Sequence, residues 1–486
     1  MSYYNAIYVK LDHDSSADFH LLSVQDASAQ QQYISRITHM HLGDKGSLED
    51  HQVPGFRVFL DNLFKHCWFP NLVELTISVR QTAQESTMVP MLTIPPACVP
   101  QLSSLVLRGV VVKWDSGFPR LTSLSLAQFR PGLTLHGLLH ALASCSNLRT
   151  LKIDRILSAS SLDRAPCNPG YLLPRLHTLE IKEPPTHLAY LYAHLHLPAI
   201  RVTRLESSFG RRAMGLGPSR VIPVVPCLSS MLPLSSTVML SSLKTLPAED
   251  PLWVSLEVSR TGFLLTCRNY ALDHRNPNPF TVTGRANLDE DSLRVQVYAE
   301  ALSALSLVLG PRKVGTLHIK GDFSLFVPSN TEAFYTRIIH PPLPPQSSMS
   351  TEQPYAGSSE PDWAFVLSRL PHLQELVIID TARVPAFPAA FIKALESPYV
   401  CPQLQKLELQ SLRFDPSRYF VDSLASALRK RRETPALHCK WLRVLSLTSF
   451  EPEDAGLIPS PAGKNVVANI AKNALRGCAD EVTVTC

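Results

Sequence analysis

The chain has 486 residues, of which 45% are hydrophobic, and a formal net charge of +5. This charge is small for the length, and no lysine or arginine stripe recurs along the sequence, which argues against nucleic acid as the main partner. The 10 cysteines form no C-x-x-C pair, which argues against the common zinc-finger spacings and against the dense disulfide framework of a small secreted domain, so we predict reduced thiols.

The first predicted elements lie at the start of the chain, in residues 1–33. Residues 5–12 alternate between apolar and polar side chains, with Ile7, Val9 and Leu11 on one side, which is typical of a half-buried strand. Residues 28–34 predict a short helix that leads into the first repeat. Residues 1–10 lack the basic start and long apolar run of a secretory signal. We therefore expect a repeat array that starts here, in a protein of the cytoplasm, the nucleus or both.

One short phrase with the pattern L-x-x-L-x-L recurs through most of the chain. Its copies read ITHMHL at 37–42, PNLVELTI at 70–77, PQLSSLVL at 100–107, PRLTSLSL at 119–126, SNLRTLKI at 146–153, PRLHTLEI at 174–181, PHLQELVI at 371–378, PQLQKLEL at 402–409 and WLRVLSL at 441–447. This is the core of a leucine-rich repeat. The last two apolar positions are two residues apart, so they point to one side of a strand and their neighbours to the other.

The segments between the phrases predict helices. Residues 56–66 and 135–143 place apolar side chains at the i, i+3, i+4, i+7 spacing of an amphipathic helix. One strand with its helix cannot bury its apolar side alone, so about three or more copies must stack. The asparagine or cysteine that usually follows the strand is mostly missing, as at Gly109 and Gln128. We therefore predict an α/β fold, an irregular leucine-rich-repeat solenoid or horseshoe with a parallel concave sheet and convex helices, most regular over residues 34–207.

The middle of the chain, residues 208–313, is predicted to form irregular repeats. Just before it, residues 186–197 predict a helix stopped by Pro198, and residues 200–205 a weaker strand. Residues 253–258 and 263–267 predict two strands around a hairpin-like interval containing Gly262, and residues 280–283 a further strand. Residues 293–308 predict a long helix with acidic residues ahead of it, and residues 211–217 a basic loop.

One uncharged segment, residues 221–243, is about long enough to cross a bilayer, for which roughly 20 residues suffice. However, Pro223, Pro226 and Pro233 would break such a helix, and paired serines would hydrate it. We therefore predict no membrane span.

The strand phrase resumes at residues 314–319 and continues to the end of the chain, so residues 314–486 are predicted to form C-terminal repeats. Helices are expected at residues 387–395 and 421–430, and a helix at 466–475 with a strand at 482–485 is expected to cap the array. Residues 341–362 are rich in proline, serine and glutamine, and predict an exposed, disordered insertion. This insertion is either a tolerated loop or a docking or phosphorylation segment.

No pattern of residues predicts catalysis, a cofactor or a metal. Gly215 and Gly217 lack the strand-to-helix context of a dinucleotide loop. His187, His194 and His196 have no cysteine or carboxylate at the expected ligand spacing, so we interpret them as surface or interface histidines. The cationic run at residues 429–432 has two interpretations, a nuclear-import signal or positive charge at the C-terminal end of a helix.

The remaining functional candidate is the displayed side of the predicted sheet. Residues that flank the buried leucines point into the concavity, and their mixed charges suit a protein ligand bound to a monomeric receptor. The candidate partner-binding residues are Glu74, Thr76, Arg108, Lys152, Asp154, Glu180, Lys182, His318, Lys320, Lys406 and Glu408.

The strand phrases, the helices between them, the phrase HLHLPAI at 194–200 and the proline-rich interruption together resemble the leucine-rich-repeat part of fungal F-box-like proteins, especially those of mushroom-forming fungi. In that family the repeats recognise a substrate, and a separate F-box docks a cullin ubiquitin ligase through its Skp adaptor. The resemblance implies a non-enzymatic protein-binding module, the substrate-recognition arm of an F-box-type ubiquitin-ligase receptor. The alternative is a free-standing repeat scaffold unconnected to ubiquitination.

The resemblance does not extend to the F-box itself. An F-box typically opens with a Leu-Pro dipeptide, and none occurs in this sequence before Leu173 and Pro174. We expect the F-box to be lacking here, either because the sequence is truncated or because the module has been lost.

Overall fold

The computed structural model describes the parts of the chain that carry most of the predicted elements. These are residues 7–11, 31–32, 34–43, 53–79, 91–113, 117–129, 133–157, 171–208, 228–232, 251–259, 262–269, 280–285, 297, 300–305, 309, 313–321, 362–381, 389–411, 413–414, 419–433, 440–448, 451–452 and 461–485. The chain divides into two compact units, Met1–Ser207 with Met231–Thr245, and Ser208–Ser230 with Leu246–Cys486.

The first unit alternates strands and helices. Its strands are β1 (Ile7–Leu11), β2 (Ile37–Gly43), β3 (Glu74–Ser78), β4 (Met91–Leu92), β5 (Ser104–Arg108), β6 (Val111–Val112), β7 (Ser123–Ala127), β8 (Thr150–Asp154), β9 (Tyr171–Leu172), β10 (Thr178–Lys182), β11 (Leu195–His196) and β12 (Val202–Ser208). Its helices are α1 (Val53–His66), α2 (Leu135–Ala143) and α3 (Pro185–His194), with a 3-10 turn at Pro96–Cys98. A short helix, α4 (Leu228–Met231), follows β12 along the chain.

The predicted phrases of the first unit become neighbouring parallel strands. The strand order is β1-β2-β3-β5-β7-β8-β10-β12, and each pair of neighbours whose register is described runs parallel. The register aligns the same apolar position of each phrase, so a row of buried side chains crosses the strands: Leu75, Leu105, Leu124, Leu151 and Leu179. The buried faces of the helices, such as Leu135, Leu138 and Leu142 of α2, complete the core.

The second unit contains the same alternation and one antiparallel portion. Its elements are β13 (Leu252–Ser259), β14 (Gly262–Asn269), β15 (Phe280–Arg285), β16 (Val314–Gly321), α5 (Trp363–Ser368), β17 (Glu375–Asp380), α6 (Ala389–Glu396), β18 (Lys406–Gln410), β19 (Arg413–Phe414), α7 (Tyr419–Glu433), β20 (Val444–Thr448), β21 (Glu451–Pro452), α8 (Pro461–Ala474) and β22 (Glu481–Val484). The strand order is β15-β14-β13-β16-β17-β18-β20-β22. The neighbours β15, β14 and β13 are antiparallel, and the others are parallel.

These features confirm an α/β fold with a large, mostly parallel sheet and helices. The expected hairpin around Gly262 and the further strand after it are present as β13, β14 and β15. The sheet is therefore not wholly parallel, because the hairpin interval is too short for the crossover that a parallel neighbour requires. Residues 300–305 are helical, within the predicted long helix, while the expected basic loop at 211–217 and the insertion at 341–361 lie outside the described residues.

The predicted extent of the helix at residues 186–197 was wrong. Helix α3 ends at His194, and Leu195 is already extended, with φ −96° and ψ 124°. Leu195 and His196 instead pair in parallel with Tyr171 and Leu172, which form β9. The helix therefore stops before Pro198 because Leu195 is buried as part of a small second sheet.

A left-handed residue follows several of the strands. Gly109, Gln128, Arg155 and Ser411 have φ values of 68°, 57°, 53° and 55°, and each comes directly after a strand. The N–H of each donates to the carbonyl of the last residue of the next strand, at N–O distances of 2.9, 2.7, 2.8 and 2.8 Å. The backbone conformation thus repeats although the residue type does not, and a non-glycine residue in this conformation costs about 1–2 kcal/mol.

Candidate functional site

The predicted partner-binding residues of the first unit lie on one side of its sheet. Along each strand the buried apolar residues alternate with partly exposed ones, so the latter occupy the side opposite the buried leucines. We call these partly exposed residues of β2 to β12 the first polar face. It includes the candidates Glu74, Thr76, Arg108, Lys152, Asp154, Glu180 and Lys182.

The charges of the first polar face form two rows that cross neighbouring strands. Lys152, Glu180 and Arg204 are aligned by register, and Glu180 receives Lys152 Nζ at 3.1 Å and an Arg204 guanidinium nitrogen at 3.2 Å. In the adjacent row Lys182 Nζ lies 3.0 Å from Glu206 Oε1. Such exposed ion pairs contribute roughly 0–1 kcal/mol each to stability. Their fixed alternation of sign is better suited to specificity than to holding the fold together.

The remaining charged residues of the first polar face stand among small hydroxyl side chains. Arg108 is exposed and donates from Nε to Gln128 Oε1 at 3.0 Å, and Asp154 pairs with its neighbour Arg155 at 3.0 Å. Glu74 lies opposite His39 in the register, and Thr76 lies opposite Val106. Between them stand small hydroxyl side chains, namely Ser104, Ser123, Ser125, Thr150 and Thr178.

The second unit has a corresponding face, the second polar face, made of the partly exposed residues of β13 to β22. It includes the candidates His318, Lys320, Lys406 and Glu408. Lys320 Nζ lies 2.8 Å from Glu257 Oε1, and Lys406 Nζ lies 2.6 Å from Glu375 Oε1 and 3.2 Å from Glu408 Oε2. The hydrogen bond that Lys406 donates to Glu375 raises the pKa of Lys406, and a second one to Glu408 adds to this effect.

Two residues that were not predicted stand beside His318. The ring centroids of Trp253 and His318 are 5.0 Å apart in an edge-on arrangement, and the guanidinium carbon of Arg268 lies 5.0 Å from the Trp253 centroid. Trp253 occupies the alternating polar-side position of β13, which the sequence pattern could have indicated. Arg268 pairs with it across the antiparallel hairpin, and only the strand register reveals that partnership.

Burial lowers the pKa of the half-buried His318 below its ordinary value, although Glu375 and Glu408 oppose this effect. The folded protein therefore favours the neutral imidazole, so this group contributes stability above about pH 6.5 that is lost as the pH falls. We expect His318→Gln to reduce the drop in melting temperature between pH 7.5 and pH 5.5, measured by calorimetry. His372→Gln, at an exposed position, is the control and should leave that drop unchanged. An unaltered acid dependence in His318→Gln would contradict the assignment.

The interpretation of His187 as a surface or interface histidine was wrong. His187 is 6% exposed, and its Nδ1 lies 3.9 Å from Oε2 of the buried Glu183. The other Glu183 oxygen accepts from the backbone N–H groups of Ile156 and Leu157, at 2.6 and 3.3 Å. The signal missed in the sequence is the carboxylate four residues before the histidine. His194 instead stacks on Tyr190, and no group of three or more potential metal ligands occurs among the described residues.

The cationic run lies at the end of α7 and is bonded within the second unit. Arg431 is 8% exposed and donates to the carbonyls of Ser397, Val400 and Cys401, at 2.9, 2.7 and 2.7 Å. Its neighbours bond as well: Arg429 to the Ala474 carbonyl, Lys430 to Glu396, and Arg432 to the Gly477 carbonyl. These contacts favour the structural interpretation of the run, since an import signal must be free to bind a receptor.

The cysteines and the helices of the described residues give two further observations. Their six cysteines are free thiols, and burial raises the pKa of Cys267 and Cys401 to about 12. In the part of the chain that is described, no helix has both the length and the apolar character needed to cross a membrane.

The sequence matches no known protein-family model, and it has no significant match among curated proteins.

Proposed function

We propose that this protein is a leucine-rich-repeat solenoid of the horseshoe type that binds another protein through its two polar faces. One observation carries this proposal: charged and hydroxyl side chains from successive strands are held in register on the side opposite the buried leucines. The repeated left-handed residue after the strands supports a repeat architecture independently of the leucines.

The chemistry of the faces suits a protein partner better than a small molecule or a nucleic acid. Charges of both signs alternate over short distances, as in Lys152, Glu180 and Arg204, so a polyanion would meet carboxylates between the cations. A protein surface offers both signs and can match such rows, which fixes the register of the complex.

We further propose that the module is the substrate-recognition arm of an F-box-type ubiquitin-ligase receptor, as the resemblance to fungal F-box-like proteins implies. The partner on the polar faces would then be the protein to be ubiquitinated. A Skp adaptor and a cullin ligase would join through an F-box outside the repeats.

The test of partner binding is a charge-swapped row in the first unit, Lys152→Glu with Glu180→Lys and Arg204→Glu. This variant keeps its internal ion pairs, so its melting temperature should stay within a few degrees of the wild type. We expect proteins cross-linked to the tagged wild-type chain in cells to be lost from the variant, as measured by quantitative mass spectrometry. Identical sets of cross-linked proteins would refute binding through the first polar face.

The ligase connection is tested separately by affinity purification from cells. We expect the Skp adaptor to co-purify with the product of the native gene and to be retained by the charge-swapped variant. Recovery of partners without the adaptor would instead identify a free-standing scaffold.

A further inference from the structure

We propose that Arg268 and Trp253 form a subsite of the second polar face that binds a peptide segment with a carboxylate and, about four residues away, an apolar side chain. This inference rests on the proposed function, and it specifies the partner chemistry at one place.

The subsite is assembled by three neighbouring strands. Trp253 of β13 lies opposite Arg268 of β14 in the antiparallel register, and β16 supplies His318 on the other side of the indole ring. The Trp253 ring thus has the Arg268 guanidinium at 5.0 Å and the His318 ring at 5.0 Å. A stacked guanidinium is held in place while its N–H edge stays available, so less freedom is lost when a ligand binds.

Arg268 differs from Lys320 and Lys406 in having no acidic partner within the described part of the chain. Lys320 and Lys406 are each paired with carboxylates. Among the described residues, by contrast, no carboxylate lies within 4.0 Å of the exposed Arg268 side chain. A guanidinium that has no carboxylate partner favours a planar carboxylate, which it can bind through two parallel hydrogen bonds.

The same side of β14 offers an apolar contact farther along the bound segment. Leu264 lies four residues before Arg268 on β14, hence on the same side of the strand, and its side chain is 38% exposed. Four residues of a strand span about 13 Å, so an extended segment whose carboxylate binds Arg268 places an apolar side chain against Leu264 about four residues away. The tryptophan and arginine side chains would dominate the binding energy of this contact.

The same surroundings disfavour a phosphate chain. The carboxylate of Glu257 stands on the adjacent strand β13, and those of Glu375 and Glu408 stand farther across the sheet on β17 and β18. Successive phosphates of a nucleic acid that crosses the face from Arg268 would therefore meet negative charge. A segment with a single acidic side chain avoids this repulsion.

The experiment is a selection of displayed random peptides on the full chain, followed by affinity measurement of the selected peptides with purified variants. We expect selected peptides to share an Asp or Glu about four residues from an apolar residue. Arg268→Gln should weaken their binding at least tenfold, and Arg268→Lys should weaken it less. The matched control is Arg369→Gln, because Arg369 also stacks on an aromatic ring, that of Phe365 at 4.4 Å, but lies at the end of α5. It should leave the affinity unchanged.

Several outcomes would overturn the inference. The selection could yield no peptide at all, or peptides without an acidic preference. Peptide binding could also survive Arg268→Gln. Finally, single-stranded DNA could bind better than the peptides and lose this binding in Arg268→Gln. Thermal melting must show that each variant is folded. The charge-swapped row lies in the first unit, so the cross-linking test does not depend on Arg268. If the charge-swapped variant lost its cross-linked partners but the peptide test of Arg268 was negative, this subsite would be refuted and the proposed function would stand.

Discussion

Replacing Gly109 with alanine is expected to destabilise the first unit by about 3–5 kcal/mol. Gly109 has φ +68°, and a Cβ built on its backbone would overlap the carbonyl oxygen of Val79. The left-handed conformation contributes roughly 1–2 kcal/mol to this loss, and the overlap with the backbone contributes the rest. Calorimetry should show a fall in melting temperature of at least about 5 °C. Hydrogen exchange should rise first in β3, β5 and β7.

The control separates backbone conformation from crowding. Gly477 also has a positive φ, +81°, but nothing lies within 4 Å of its added Cβ. Gly477→Ala should therefore lose only the conformational part, about 1–2 kcal/mol. If both alanine variants lost the same stability, the close approach of Gly109 to Val79 would play no part.

Replacing Arg431 with alanine is expected to destabilise the second unit by about 3–5 kcal/mol. The buried guanidinium satisfies the carbonyls of Ser397, Val400 and Cys401, which form the turn between α6 and β18. Its removal takes away charge-assisted bonds worth about 1.5–3 kcal/mol each before any relaxation. The backbone N–H groups of Val400 and Leu404 still donate to the carbonyls of Ser397 and Cys401, at 3.2 and 3.0 Å, which limits the loss. Urea unfolding followed by tryptophan fluorescence should detect the loss.

Lys430→Ala is the matched control for Arg431→Ala. The neighbouring lysine pairs with Glu396 at 2.6 Å, but its side chain is 64% exposed, so its loss should cost less than about 1 kcal/mol. Arg431→Lys should fall between the two, because one ammonium cannot reach all the carbonyls that the guanidinium bridges. Equal effects of Arg431→Ala and Lys430→Ala would show that the cationic run acts only through surface charge.

The strands and most helices could be predicted because their signals are local. An apolar residue at every second position must face the core, so the phrase around Leu124 predicted β7 directly. Helix α2 was predicted with its observed bounds from the spacing of its apolar residues, and the structure adds that Thr134 caps it by accepting from Gly137 N–H. The end of α3 was missed because the partner strand of Leu195 lies over twenty residues away in the sequence.

The candidate site was predicted only in part, for a similar reason. Lys152, Glu180 and Lys406 could be placed on a face from alternation alone, but their partners across the sheet depend on register. Arg268 is part of an antiparallel hairpin strand without the leucine phrase, so no repeat pattern indicated it. Buried polar contacts such as those of Glu183 and Arg431 depend on tertiary packing, which residue spacing does not encode.

The lysine–carboxylate ion pairs of the polar faces affect how fast a partner associates. Lys152, Lys182 and Lys406 each already have a carboxylate within about 3 Å, so little net field extends beyond the surface. A partner would then approach without electrostatic steering, at association rates on the order of 10⁵–10⁶ M⁻¹s⁻¹ that change little with ionic strength. Affinity differences between partners would then come almost entirely from differences in the dissociation rate of each complex.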